Sequence, residues 1–167
     1  MISRLLSDLR AKQALYSQYG PPCSLLKAAL ADGTLANVLF RSQEALSEAG
    51  LSPLALIPHH LNKLLTGCVI GVRARFGPGF VLVHPIGVVI NSSVRGGNHI
   101  ILESGVVIGD NRGKSPVLAN DIFVGSGAKI IGGVSIGDGV RIGANAVVLK
   151  DVPSGSTAVG IPAKVLA

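Results

Sequence analysis

The segments Val124-Gly-Ser-Gly-Ala-Lys129 and Ile136-Gly-Asp-Gly-Val-Arg141 are two copies of one six-residue pattern, an apolar residue followed by glycine. Counting in sixes through residues 70–153 gives an apolar residue at every step except Arg112: Ile70, Phe76, Leu82, Val88, Val94, Ile100, Val106, Leu118, Val124, Ile130, Ile136, Ile142 and Val148. A helix face recurs every three to four residues and a half-buried strand every two. A period of six is instead typical of a parallel β-helix, in which each short wall contributes one inward side chain. The alternative, a β-sandwich, would show less regular turn signals.

The composition agrees with a core of stacked aliphatic residues. The 167-residue chain is 48% hydrophobic but only 4% aromatic, and its 22 glycines fit the corners between walls. No apolar run reaches the roughly 20 residues that span a bilayer, and the N-terminus lacks the apolar core of a signal peptide. We therefore expect a cytoplasmic protein without membrane insertion.

Charge and cysteine content exclude two further classes of function. The net charge is +6, but Lys and Arg are scattered singly and aromatic residues for base stacking are scarce. We therefore expect no nucleic-acid partner, and an anionic small ligand fits the charge better. Cys23 and Cys68 have no further Cys or His at metal-ligand spacing, which predicts two reduced thiols and no metal site.

Residues 1–67 lack the six-residue period and show apolar residues at helical spacing. Turn and capping signals divide them into four helices, with Thr34 as the N-cap of the third. We expect these helices to cap the open end of the β-helix, whose first strands would otherwise expose their edges. The β-helix is assigned to residues 68–153, with a polar loop at 109–116. Residues 154–167 are predicted to form an extension that folds back along the outside.

Several segments resemble the hexapeptide-repeat acyltransferases, and more closely the serine acetyltransferase-like branch. They cover much of residues 61–166, and are Phe80-Val-Leu-Val-His-Pro-Ile-Gly-Val-Val-Ile90, Gly105-Val-Val-Ile-Gly109, residues 125–132 and 142–148, and Val159-Gly-Ile-Pro-Ala-Lys-Val165. The resemblance implies a left-handed β-helix, a hand that the period alone does not supply because most crossovers are right-handed. It also implies a homotrimer, with acetyl-CoA bound in the groove between neighbouring subunits.

The chain departs from the serine acetyltransferase pattern at important positions. Val83 stands where that branch has Asp, Val69-Ile-Gly-Val72 lacks the Asp of its Asp-Ile-His-Pro segment, and Lys114-Ser-Pro116 replaces Arg-His-Pro. Of the branch's catalytic and serine-binding side chains, only His84 is kept. We also expect no docking tail for a cysteine synthase complex. The short cap and the Val83-His84 pair resemble acetyltransferases of exopolysaccharide clusters, the colanic acid type among them.

Acetyl transfer to a hydroxyl needs a base for the hydroxyl proton and donors for the oxyanion. His84 lies two residues past Leu82, on the wall rather than in the core, and imidazole can accept a proton near neutrality. The residues alone leave a base and a surface histidine equally open, and the resemblance favours the base. Glu103, about one coil further along, is a candidate to orient His84 or to contact the acceptor; the alternative is a solvated carboxylate.

The resemblance places acetyl-CoA against the later coils and the tail. The N–H of Gly109 would face the thioester oxygen, although a simple corner glycine is the alternative. Small residues that would lie against the pantetheine arm are Ser126, Gly127, Ala128, Ala144 and Asn145. Lys129, Lys150 and Lys164 could meet the CoA phosphates, although each also fits an ordinary exposed lysine. Pro162 and Ala163 belong to the same matching tail segment as Lys164 and are also predicted to bind the cofactor.

These observations predict an acetyl-CoA-dependent O-acetyltransferase that uses His84 as general base on a sugar or exopolysaccharide precursor. Serine O-acetyltransferase is the second choice, because the ammonium of serine needs a carboxylate and the branch's own are missing. A third alternative is a non-catalytic β-helix that binds a ligand or acts as a scaffold for a partner.

Overall fold

The structure, a computed structural model, describes residues 1–166. Within these residues four helices precede fifteen short strands. The helices are α1 (Ile2–Tyr19), α2 (Leu25–Leu30), α3 (Thr34–Glu48) and α4 (Ser52–Thr66). We call residues 1–66 the cap. None of these helices combines the length and hydropathy of a membrane span, and residues 1–166 contain no cluster of three potential metal-ligating side chains.

The strands form three sheets, parallel except for the final strand, and these sheets are the walls of a prism. Wall A contains β1 (Val69–Ile70), β4 (Val89–Ile90), β7 (Val107–Gly109), β10 (Lys129–Ile131) and β13 (Val147–Val148). Wall B contains β2 (Arg75–Phe76), β5 (Arg95–Gly96), β8 (Val117–Leu118) and β11 (Ser135–Ile136). Wall C contains β3 (Val81–Leu82), β6 (Ile101–Leu102), β9 (Phe123–Val124), β12 (Arg141–Ile142), β14 (Thr157–Val159) and β15 (Lys164–Leu166). The predicted left-handed parallel β-helix with an N-terminal α-helical cap is confirmed.

The six-residue count identifies buried residues correctly, but from β4 to β7 it misses the inward residue at the centre of each wall. It predicts Val88, Val94, Ile100 and Val106 as centres, whereas strand pairing gives Ile90, Gly96, Leu102 and Ile108. The four predicted residues are also buried, because on each wall the residue two positions before the centre points into the corner of the core. Two extra residues after Leu82 shift the phase, and four extra residues in the loop 109–116 restore it at Leu118.

Buried charges of the cap bind the backbone edge of the first coil. Arg41 is 1% exposed and donates to the carbonyl oxygens of Phe76 at 2.8 Å and Gly77 at 2.7 Å. Its guanidinium also pairs with Asp8 at 2.7 Å and Glu44 at 2.6 Å. Burial raises the pKa of the Asp8 carboxyl, while hydrogen bonds from Arg41 act in the opposite direction. These contacts satisfy polar groups that an uncovered coil would leave unpaired.

Amide side chains of α3 complete the same edge. Asn37 donates to the carbonyl oxygen of Phe80 at 2.9 Å and accepts from the N–H of Leu82 at 3.2 Å. Gln43 donates to the carbonyl oxygens of Ile70 and Gly71, each at 3.1 Å. Helix α3 therefore docks onto the first coil through hydrogen bonds from its side chains to the backbone, from Asn37 at β3 and from Gln43 at β1, as well as through apolar contacts. These contacts fix its position relative to that coil.

The C-terminal end differs from the predicted boundary. β14 pairs in parallel with β12, so the parallel stacking extends to Val159, beyond the expected end of the β-helix at residue 153. Only β15 reverses direction, pairing antiparallel with β14. The segment that folds back thus begins later than the sequence predicts, because Ala158 fills a core position that the six-residue count does not reach.

Candidate active site

His84 lies on a corner that is two residues longer than its counterparts. Residues 83–88 join β3 to β4, whereas four residues make the same turn in the later coils, at 103–106, 125–128 and 143–146. Val83 and Pro85 are buried on either side of the histidine, and the His84 side chain is 56% exposed. The longer corner thus presents an imidazole at the surface while its neighbours anchor the backbone.

A carboxylate of the cap faces this imidazole. Oδ2 of Asp32, in the turn between α2 and α3, lies 3.5 Å from Nδ1 of His84. The two residues share an open cavity of about 500 Å³, whose lining is Asp32, Gly33, Leu65, Thr66, Gly67, His84, Pro85 and Ile86. The sequence gives little sign of this meeting, because Asp32-Gly33 fits an ordinary helix-ending turn and lies far upstream of His84.

The turn that carries Asp32 is tightly held. Gly33 has a left-handed φ of 79°, and a Cβ there would overlap the carbonyl oxygen of Leu82. Gly33, rather than the predicted Thr34, occupies the N-cap position of α3, and Thr34 donates to the carbonyl oxygen of Ala28 at 2.8 Å. Only glycine combines this backbone conformation with so close an approach.

The side chain of Lys12 binds the same turn through hydrogen bonds. Its Nζ donates to the carbonyl oxygen of Asp32 at 2.5 Å and to Oγ1 of Thr34 at 3.1 Å. The side chain is 2% exposed, and this burial lowers its pKa to about 8, with the Asp32 carboxylate opposing the shift. A buried lysine therefore binds the main chain of Asp32, the residue that faces His84.

Glu103 does not reach the position predicted for it beside His84. It lines a separate cavity of about 440 Å³ between the cap and wall C, together with Leu15, Tyr16, Tyr19, Gly20, Pro21, Cys23, Lys27, Val83, Phe123 and Arg141. Glu103 follows Leu102, which pairs with Leu82, so its neighbour across the coil is Val83. Asp32 takes the place expected of Glu103 as a carboxylate beside His84, while an acceptor contact of Glu103 stays a prediction.

Tyr16 lines the same cavity as Glu103. Burial raises the pKa of its phenol, and the charges of Asp32 and Glu103 raise it further. Across the same cavity, the guanidinium of Arg141 lies 4.8 Å from the ring centroid of Phe123. This second cavity thus holds both signs of charge against aromatic walls.

Most of the predicted cofactor residues lie on the same prism edge as His84. Ser126, Gly127, Ala144 and Asn145 belong to the equivalent corners of the third and fourth coils, and all but Gly127 are exposed. The side chain of Ala128 is fully buried in the core, so a contact of the pantetheine arm with Ala128, which stays a prediction, would have to be made by its backbone.

The remaining predicted cofactor residues are divided between the two edges of wall A. The tail returns to the His84 edge, where the N–H of Ala163 donates to the carbonyl oxygen of Val147 at 2.8 Å, and Pro162 and Lys164 are exposed beside it. Gly109 ends β7 and Lys150 follows β13, so both lie where wall A turns towards wall B. The structure therefore does not bring these two residues to the His84 corner.

Comparison with known proteins identifies the family. Residues 115–150 match the family model described as bacterial transferase hexapeptide (six repeats). The chain is 45% identical over 120 residues to a serine acetyltransferase of Synechococcus elongatus, covering 68% of this chain and 49% of that protein. It is 40% identical over 138 residues to a serine acetyltransferase of Helicobacter pylori, covering 80% of this chain and 81% of that protein. The chain belongs to the serine acetyltransferase family.

Solved structures of serine acetyltransferases agree with this assignment. Soybean serine acetyltransferase complexed with serine matches with a TM-score of 0.87 and 31% identity, covering 98% of this chain and 68% of that one. A serine acetyltransferase in complex with CoA matches with a TM-score of 0.88 and 27% identity, covering 99% and 69%. The predicted acyltransferase superfamily and its serine acetyltransferase-like branch are confirmed. The chain spans only about half the length of the Synechococcus relative.

The carboxylate beside His84 is not supplied by the positions where the resemblance implies Asp. Val83 is 6% exposed and Val69 lies in β1, and neither side chain carries a charge. In residues 1–166, the carboxylate within 4 Å of a His84 ring nitrogen is that of Asp32. In the described residues the carboxylate beside His84 therefore comes from the cap and not from the solenoid.

Proposed function

We propose that the protein is a serine O-acetyltransferase, which transfers the acetyl group of acetyl-CoA to the hydroxyl of serine with His84 as general base. The observation that carries the proposal is the exposed pair of His84 and Asp32, 3.5 Å apart in an open cavity of about 500 Å³. Family membership supports it, since the relatives are named serine acetyltransferases and one solved relative is complexed with serine.

The geometry is suited to acyl transfer by a single base. The serine oxygen forms a bond to the thioester carbonyl carbon as Nε2 of His84 takes the hydroxyl proton. The carbon–sulfur bond then breaks, and the imidazolium returns the proton to the departing thiolate, which gives O-acetylserine and CoA. With its side chain 56% exposed, His84 can be approached by both substrates from the cavity.

Asp32 removes the physical objection that placed serine second. An ammonium group that leaves bulk water needs a carboxylate partner, and a carboxylate has lone pairs for more than one donor. The Asp32 side chain is 80% exposed at the cavity, so it can face a zwitterion as well as His84. The order predicted from sequence is therefore reversed, since the relatives described above are named serine acetyltransferases.

Acetyl-CoA is proposed to lie along the edge that carries His84. Exposed Ser126, Ala144 and Asn145 offer small side chains and backbone to the pantetheine arm, and Lys164 lies next to them on the tail. The net charge of +6 favours an anionic cofactor, and one related structure holds CoA. The homotrimer stays a prediction; the 42% exposure of Val89 on wall A is compatible with a subunit contact there.

The test is a panel of acceptors with the purified protein. CoA release from acetyl-CoA is measured with serine, threonine and a set of hexoses and deoxyhexoses at equal concentration. We expect kcat/KM to be highest for serine. Turnover on a sugar but not on serine would restore the saccharide acceptor. A ligand at 100 times its Kd raises the free energy of unfolding by about 2.7 kcal/mol. If the protein turns over none of the acceptors and CoA does not stabilise it in this way, the non-catalytic alternative is favoured.

A further inference from the structure

We propose that Asp32 of the cap is the positioning residue for His84. Its carboxylate accepts a hydrogen bond from the Nδ1–H of the imidazole and so leaves Nε2 unprotonated and directed at the acceptor hydroxyl. The inference rests on the proposed function and adds to it a residue that orients the base. The two atoms are 3.5 Å apart in the unliganded protein, and catalytic hydrogen bonds of this kind often shorten only when substrate is bound.

A base on an exposed corner needs such a partner. The two ring nitrogens of histidine differ, and the group that accepts a hydrogen bond from one nitrogen keeps the proton there and leaves the other nitrogen free to accept a proton. Val83 and Pro85, the chain neighbours of His84, carry no polar side chain, and Glu103 lines the other cavity. Asp32 is thus the group in place to select the tautomer.

Three independent contacts fix the backbone that carries Asp32 relative to the backbone that leads into His84. The backbone of Gly33 packs against the carbonyl oxygen of Leu82, two residues before the histidine. Asn37 binds β3 through both its amide oxygen and nitrogen, and Lys12 holds the carbonyl oxygen of Asp32. Because these contacts use backbone or buried groups, the turn that carries Asp32 stays beside β3 without help from the surface ion pair.

A second His–Asp pair on the molecule provides the matched control. Nδ1 of His99 lies 3.2 Å from Oδ1 of Asp121, and their side chains are 58% and 66% exposed. Both residues belong to the solenoid and lie in a groove beside α1, away from the corner 83–88. The pair has nearly the same distance and exposure as His84 and Asp32, but we assign it no part in acetyl transfer.

The first experiment compares Asp32→Asn with Asp121→Asn. Asparagine keeps the shape of the turn, and Lys12 binds the main chain, so we expect both variants to fold with the wild-type melting temperature. Asp32→Asn should lower kcat for serine by at least about 10-fold and at most about 10⁴-fold, the loss seen where a carboxylate that fixes the tautomer of a general-base histidine is replaced by asparagine. Asp121→Asn should leave kcat unchanged. An unchanged kcat with only a raised KM for serine would overturn the positioning role and leave Asp32 as an acceptor contact.

The second experiment does not depend on activity. Nitrogen-15 NMR of the neutral imidazole rings reports which nitrogen carries the proton. We expect the Nδ1–H tautomer for His84 in the wild type and its partial loss in Asp32→Asn, but not in Asp121→Asn. A wild-type His84 protonated at Nε2 would overturn the inference even in an active enzyme. If no O-acetylserine forms while Nδ1–H is observed, the proposed function fails and the pairing stands.

Discussion

The solenoid and the cap are stabilised in opposite ways. The solenoid core is a column of aliphatic side chains that repeats with every coil, as with Leu82, Leu102, Val124 and Ile142 along wall C. The cap instead buries Asp8, Lys12, Arg41 and Glu44, each at most 3% exposed, and uses them to bind specific backbone atoms. The first arrangement is periodic and visible in sequence, whereas the second is a set of single complementary contacts, and the candidate site lies where the two meet.

The largest effect should come from the charges that join the two regions. Arg41→Ala leaves Asp8 and Glu44 buried without their partner, and we expect a loss of about 3–5 kcal/mol in the free energy of unfolding. Arg4 contacts the same Glu44 but is 39% exposed, so Arg4→Ala should cost at most about 1 kcal/mol. Urea unfolding measures both, and equal losses would show that burial does not distinguish the two contacts.

Within the solenoid, truncation of a wall centre tests the repeat. Ile130 is fully buried in β10, so Ile130→Ala should lose about 2–5 kcal/mol through lost transfer energy and the cavity left behind. The adjacent Lys129 faces outwards, and Lys129→Ala should change stability by less than about 0.5 kcal/mol. Similar losses for the two variants would contradict the inward and outward alternation of wall A.

Two glycines allow the cost of the close contact between the cap and β3 to be measured separately from the cost of a left-handed backbone conformation. Gly33 and Gly50 have φ values of 79° and 77°, but a Cβ at Gly50 would meet nothing within 4 Å. Gly50→Ala should therefore lose about 1 kcal/mol from the left-handed conformation alone. Gly33→Ala should lose about 2–3 kcal/mol, because the turn must also move away from Leu82. If the two variants unfold at the same urea concentration, the contact is not tight.

The buried lysine predicts a smaller, pH-dependent difference. The folded pKa of Lys12 is about 8, below the ordinary value of 10.5, so between these values the unfolded chain binds more protons. Stability therefore rises with pH over this window, and the gain is lost progressively as pH falls from 10.5 to 8. We expect the free energy of unfolding of the wild type to rise by about 2–3 kcal/mol relative to that of Lys12→Met between pH 8 and 10.5. Parallel pH profiles of the two proteins would rule this out.

The same comparison explains what could be predicted from sequence. The aliphatic period identifies the β-helix, and family resemblance singles out His84, because both depend on patterns local to the chain. The period fails where the corner 83–88 lengthens, since two buried positions on each wall, two residues apart, hide a shift of two residues. Asp32 could not be predicted as the partner of His84, because their contact depends on how α3 docks onto β3 and no spacing in the chain encodes it.

The central claim is that His84 is the base in acetyl transfer to serine, and direct product analysis tests it. Wild type, His84→Ala and His99→Ala are incubated with acetyl-CoA and L-serine, and O-acetylserine is quantified by NMR over time. We expect the wild type and His99→Ala to form it at the same rate, and His84→Ala to be slower by about 10²–10⁴-fold, the usual contribution of a positioned base. Formation of O-acetylserine by His84→Ala at the wild-type rate would contradict the claim.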